Sequence, residues 1–152
     1  MTALTGDRAT PERGVEQHAF FPAAGALIRR GALVAITAAA ELVAAGPVPG
    51  LTVVGVAQTG TADGPYPVTL TPGQLPTGGV VTTGGPTPIL TRRGHAWAFV
   101  NSAGADLIGL GDWGHPAYAV DDQTVAKTDG GGTRPLAGTI RGVDAAGVWV
   151  QV

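Results

Sequence analysis

The stretch Gly114-His-Pro-Ala-Tyr-Ala-Val-Asp-Asp-Gln-Thr-Val-Ala-Lys-Thr-Asp-Gly-Gly-Gly-Thr133, continuing through Leu136 to Gly147-Val-Trp-Val-Gln-Val152, decides the fold. Ala117 to Val120 and Thr124 to Thr128 read as two strands joined through Asp121-Asp122-Gln123. After the wide glycine turn at Asp129–Thr133, Leu136–Val143 and Val148–Val152 form a hairpin through Asp144-Ala-Ala-Gly147. Just upstream, His95-Ala-Trp-Ala-Phe-Val100 alternates and reads as a half-buried strand. Short period-2 runs separated by turn residues every 8–12 positions or so are the rhythm of a small barrel or sandwich. Within these strands Trp97, Val120, Val125, Val148, Trp149 and Val150 are the expected core.

Working outward, Asp106–Gly114 reads as a turn-rich bridge between strands. Leu51–Gln58 is a further strand, with Gly55 marking a bulge or a close backbone approach. Gly31–Thr37 and Ala26–Arg29 read as β, while Ala38–Ala45 is compatible with a turn or two of helix or with a strand. The region from 59 to 93 is dense in Gly, Pro and Thr and reads as a loop insertion, with short possible strands at Tyr66–Leu70 and Val80–Thr83. Residues 1–24 have the look of a flexible N-terminal arm, followed by one β domain over 25–152. The fold class is therefore mainly β, with little helix.

Composition narrows the function classes. Among 152 residues, 25 are Gly and 12 are Pro, and only 13% carry charge, about half the usual share. A surface so poor in charge associates unless a partner or a sister subunit covers part of it. The formal net charge of -2 gives no global basic field for nucleic acid. The basic pairs Arg29-Arg30 and Arg92-Arg93 are local features, read either as solvated ends or as anion contacts. The absence of cysteine excludes disulfides, thiolate nucleophiles and Cys-bound zinc. The polar start, Met1 to Glu16, lacks an apolar signal core, and the apolar run Ala26–Ala45 is interrupted by Arg29, Arg30 and Glu41, so no membrane span is expected.

No constellation of side chains announces chemistry. Asp121-Asp122 and Asp129 lack the alternating oxygen ligands of a calcium loop, and carboxylates at a turn cap backbone amides. His18, His95 and His115 have no metal-ligand spacing, so neither a metal nor a cofactor is expected. Ser102 lies outside any Gly-x-Ser-x-Gly elbow, and Gly130–Gly132 lacks the Gly-Lys-Ser/Thr of a phosphate loop. Two binding features remain. His18-Ala-Phe20-Phe21-Pro22 places two aromatics where one could plug the domain or dock on a partner. Trp113 and Tyr118 beside Asp112 and His115 could form a platform for a sugar face.

Three motifs in order carry a family resemblance: Gly31-Ala-Leu-Val-Ala35; Val53-Val-Gly-Val-Ala57; and Tyr118-Ala-Val-Asp-Asp-Gln-Thr-Val-Ala126, followed by Ala137-Gly-Thr-Ile140 and Gly147-Val-Trp-Val150. In these the chain resembles the small capsid cement, or head-decoration, proteins of tailed bacteriophages. The stretch 59–88 and the residues up to Gln17 depart from that pattern. The resemblance implies a β-sandwich or tulip-like barrel, often a homotrimer, made in the bacterial host cytoplasm and bound to the major capsid protein on the outside of the virion head. It implies no catalytic residue. On this reading the capsid-binding residues would be His18, Phe20, Phe21, Arg29 and Arg30. A small β-barrel carbohydrate- or ligand-binding module of the phage particle is the alternative.

Overall fold

The computed structural model describes residues 16–61 and 87–152. The expected arm residues before Glu16 and the possible strands at 66–70 and 80–83 lie outside the described residues. The fold is mainly β, built from two sheets. The first contains β1 (Gln17–Phe20), β2 (Leu33–Ile36), β3 (Leu42–Ala44), β4 (Thr52–Ala57) and β5 (Ile89–Arg92), in the order β1-β5-β4-β2-β3. The second contains β6 (Ala96–Asn101), β7 (Pro116–Ala119), β8 (Thr124–Ala126), β9 (Leu136–Asp144) and β10 (Gly147–Gln151). These five close into a barrel in the order β10-β6-β8-β7-β9.

Alternation of side chains explains how two sheets form one body. On β2, Leu33 and Ala35 point into the barrel core, and Val34 and Ile36 point the other way into a second cluster. The strand is buried on both faces, which is why its sequence is a continuous apolar run. The larger cluster joins Leu33, Ala35, Ala45 and Val56 of the first sheet to Phe99, Ile108, Val125, Ile140, Val148 and Val150 of the barrel. The smaller gathers Phe20, Ile28, Ala32, Val34, Leu42, Ala57 and Ile89. A backbone bond crosses the seam, where Leu33 N–H donates to the Asp122 carbonyl at 2.7 Å.

The first sheet also nearly closes. Beyond β1 the chain turns, and Pro22 forms an isolated bridge with Leu42 of β3. The Leu42 and Ala23 amides each donate to a carbonyl across that junction, at 2.8 and 2.9 Å. Residues 17–23 thus cover the sheet's two ends, removing edges that would otherwise pair with another chain.

Several expectations are corrected. Residues 17–24 are not arm: β1 pairs antiparallel with β5, Ala19 is fully buried, and the Thr91 hydroxyl donates to the His18 carbonyl at 3.0 Å. The loop insertion is shorter than 59–93 at its C-terminal side, since Ile89–Arg92 alternates buried and half-buried residues as β5. Ala26–Arg29 forms no strand; Ile28 is held instead by backbone and hydroxyl bonds with Thr61. Trp149 is not core, because its strand neighbours Val148 and Val150 take the inward positions and turn it onto the outer face. There its Nε1 donates to Asp144 Oδ2 at 2.8 Å.

Other expectations hold: Val125, Val148 and Val150 are fully buried, and Trp97 packs half-buried against the same core. Val120, expected in the core, follows β7 as a half-buried turn residue outside both clusters. Gly55 is both a bulge and a close approach: pairing skips from Gly55 to Val53, and a Cβ there would strike the Arg92 backbone.

Candidate functional site

The bridge from β6 to β7 is an irregular segment of the barrel. It contains two single-turn 3-10 helices, Gly104–Asp106 and Leu110–Asp112. Between them Ile108 drops into the barrel core with 1% of its surface exposed. Asn101, at the end of β6, fixes that insertion from both sides. Its Oδ1 accepts from the Ile108 amide at 3.0 Å, and its Nδ2 donates to the Ile108 carbonyl at 2.8 Å. A half-buried amide satisfying both polar groups of a buried residue leaves the segment little freedom.

Charged side chains pin the flanks. Asp106 accepts from the Thr128 hydroxyl and from Arg134 Nη1 at 2.9 Å. Asp112 Oδ2 accepts the Gly109 amide at 2.8 Å, and its Oδ1 lies 3.3 Å from Lys127 Nζ. The Gly114 amide donates to the Ile140 carbonyl, and the Ile140 amide to the His115 carbonyl, both at 2.9 Å. The Thr128 hydroxyl, then Arg134, holds the Asp106 carboxyl below the ordinary aspartate range. For Asp112 the Gly109 amide is the larger cause and Lys127 the smaller.

This frame displays apolar side chains to solvent. Leu107, Leu110 and Trp113 are 53%, 75% and 61% exposed. An apolar side chain projecting from a mobile loop would fold back onto the protein. Here Ile108 occupies the inward position, so its neighbours are held out. Apolar side chains held out on a braced segment would lose little entropy if a partner docked on them.

The residues singled out by sequence scatter. Phe20 is buried in the second core and Phe21 is half-buried, so the aromatic pair serves mainly as a plug and Phe20 has no surface to offer a partner. His18 sits on β1 with its ring centroid 6.2 Å from that of Phe20. Arg29 and Arg30 are exposed and line, with Gly31, Ala32, Asp122 and Gln123, an open cleft of about 400 Å³ at the seam between the sheets. Asp121 does turn work: its Oδ1 accepts the amides of Gln123 and Thr124 at 2.9 and 2.6 Å. Of the proposed sugar platform, Asp112 is committed to the bridge, and Trp113 leans toward Gly142 of β9. Leu107, Leu110 and Asn101 were not marked out by the sequence reading. The available signal was Leu107-Ile-Gly-Leu110, an apolar run inside a turn-rich segment that has no need of one.

Among the described residues no group of three or more His, Asp or Glu could hold a metal ion, and no helix is long and apolar enough to cross a membrane.

Two predictions follow from the frame. Asn101→Ala should lower stability by about 2–3 kcal/mol, since it leaves the Ile108 amide and carbonyl unsatisfied; urea unfolding measures it, and an unchanged midpoint would mean that the bridge does not depend on Asn101. Acid should also loosen the bridge. A carboxyl with a depressed folded pKa contributes stability that is present above its unfolded value and is lost as pH falls through the folded one. Stability should therefore drop below about pH 4, and less steeply in an Asp106→Asn, Asp112→Asn double variant. Thermal melts at several pH values on both proteins give the comparison.

Compared with known proteins, the chain matches no family model, no curated protein and no solved structure.

Proposed function

We propose that this chain is a non-catalytic structural protein of a phage virion, which binds the outer surface of the capsid and stabilises the head by bridging major capsid protein subunits. The observation that carries the reading is the pinned ridge of Leu107, Leu110 and Trp113. Ile108 and Asn101 hold it out from a closed barrel, and its rim charges are already paired. Such a surface needs only a complementary apolar groove on the partner. The motif resemblance to head-decoration proteins supplies the class of partner, and its strongest motif, Tyr118–Ala126 with Gly147–Val150, falls within or beside β7, β8 and β10 of this same barrel.

A cement protein works by number. Identical subunits, grouped as homotrimers on an icosahedral lattice, each add a modest contact, and linked contacts raise the total affinity without strong single sites. The nearly edgeless sheets suit that task, since copies crowded on a shell do not then pair strand to strand. Because Phe20 is buried, the capsid contact in this reading lies on the 104–114 bridge, with Arg29 and Arg30 at the rim of the seam cleft as a secondary polar contact.

The test is to add purified protein to phage heads that lack their decoration and to heat them. Heads that retain their DNA to a higher temperature in proportion to added protein support the assignment. Heads that release DNA at an unchanged temperature at every concentration would refute it.

A further inference from the structure

On the outer face of the barrel, β9 and β10 place Gly142 directly opposite Trp149. A carbon attached to Gly142 would lie 3.6 Å from Trp149 Cδ1 and 3.8 Å from Trp113 Cζ3, ordinary van der Waals contact on both sides. Both indoles thus border the bare Gly142 backbone, which leaves a slot between them with Gly142 as its floor. Nothing in the Gly142 backbone requires glycine, since its φ is not in the left-handed region. The effect of its missing side chain is to keep the slot open. Trp113 is 61% exposed, so the slot faces solvent.

Polar side chains edge this slot. Asp144 Oδ2 accepts from Trp149 Nε1 at 2.8 Å and fixes the indole in place. Gln151 lies two residues beyond Trp149 on the same face, and its Oε1 accepts from Arg141 Nε at 2.8 Å. The guanidinium, amide and carboxylate groups are exposed and planar, and they can hydrogen-bond in a fan around the rings.

We propose that Trp113, Gly142 and Trp149 form a carbohydrate-binding slot that takes one pyranose ring, with Arg141, Asp144 and Gln151 as its hydrogen-bonding rim. The C–H faces of a pyranose pack on aromatic rings, and its hydroxyls need the planar polar partners the rim supplies. A proline ring would fill the same gap but would leave those groups without a role, and Trp149 Nε1 is already committed to Asp144 instead of being available to a peptide carbonyl. The slot differs from the platform read in the sequence: Trp113 shares the Gly142 floor with Trp149. The slot shares Trp113 with the ridge but not Leu107 or Leu110, so Leu107→Ser, Leu110→Ser tests the capsid reading and Gly142→Leu tests this one separately.

The indole N–H signals of the three tryptophans give a direct readout by NMR. The intact protein is titrated with a panel of gluco-, chito-, manno- and galacto-oligosaccharides. At least one should shift the Trp113 and Trp149 signals together and leave that of Trp97, on the inner face, unmoved. Gly142→Leu, which fills the slot on an unstrained backbone, should weaken that binding at least tenfold. Trp113→Ala, at an exposed position, should do the same and serves if the leucine variant does not fold. The proposal is overturned if no sugar shifts the two signals, if the two variants bind as the parent does, or if a proline-rich peptide shifts them where every sugar fails.

Discussion

Alanine at position 147 is expected to destabilise the protein by roughly 3 kcal/mol, a large share of the 5–15 kcal/mol typical of a domain. Gly147 opens β10 with φ +127°, a conformation that side chains rarely adopt, and its missing Cβ is where the Phe99 carbonyl oxygen of β6 sits. The residue is thus the point at which the β9–β10 hairpin is drawn against β6, the contact through which β10 closes the barrel. Relief would require β6 and β10 to separate where Val148 faces Phe99, two members of the main core. Urea unfolding should show the midpoint fall sharply, whereas Ala146→Gly in the same exposed turn should change it by less than about 1 kcal/mol. Equal midpoints for Gly147→Ala and the parent would mean that the barrel is not held shut at this point.

The double substitution Leu107→Ser, Leu110→Ser should reduce binding to decoration-free heads at least a hundredfold and leave the melting temperature nearly unchanged. Both side chains are more than half exposed, so the folded chain loses little when they become polar. Their contribution would come only on docking, where apolar anchors at the centre of an interface each supply about 2 kcal/mol or more. Ile108→Ser makes the contrast. It removes a fully buried side chain and should unfold the bridge, costing several kcal/mol as large core truncations do. Undiminished binding by the double variant would place the contact elsewhere, with the Arg29–Arg30 cleft the next surface to examine.

The barrel was legible because its strands obey period 2 and are bounded by strong turn signals. Asp121 at the β7–β8 turn, capping two amides, and Asp144–Gly147 at the hairpin read directly from residue type. β1 and β5 were hidden for a common reason. Each is four residues long, lies beside polar or Pro-rich sequence, and gains its order from the other across a separation of some seventy positions. Pairing between distant segments leaves no local periodicity to find. Trp149 was misassigned because valines flank it on both sides; a tryptophan between two valines looks like core, yet alternation can bury only one set. The ridge was the least legible feature. Nothing in Leu107-Ile-Gly-Leu110 says which residue turns inward, and that choice is made by the Asn101 amide, which grips Ile108.

Co-sedimentation with phage heads lacking their decoration tests the proposed capsid binding. Saturable binding is expected, with a stoichiometry that matches a set of equivalent lattice positions. Protein that stays in the supernatant at every concentration, with heads of any form, would contradict it.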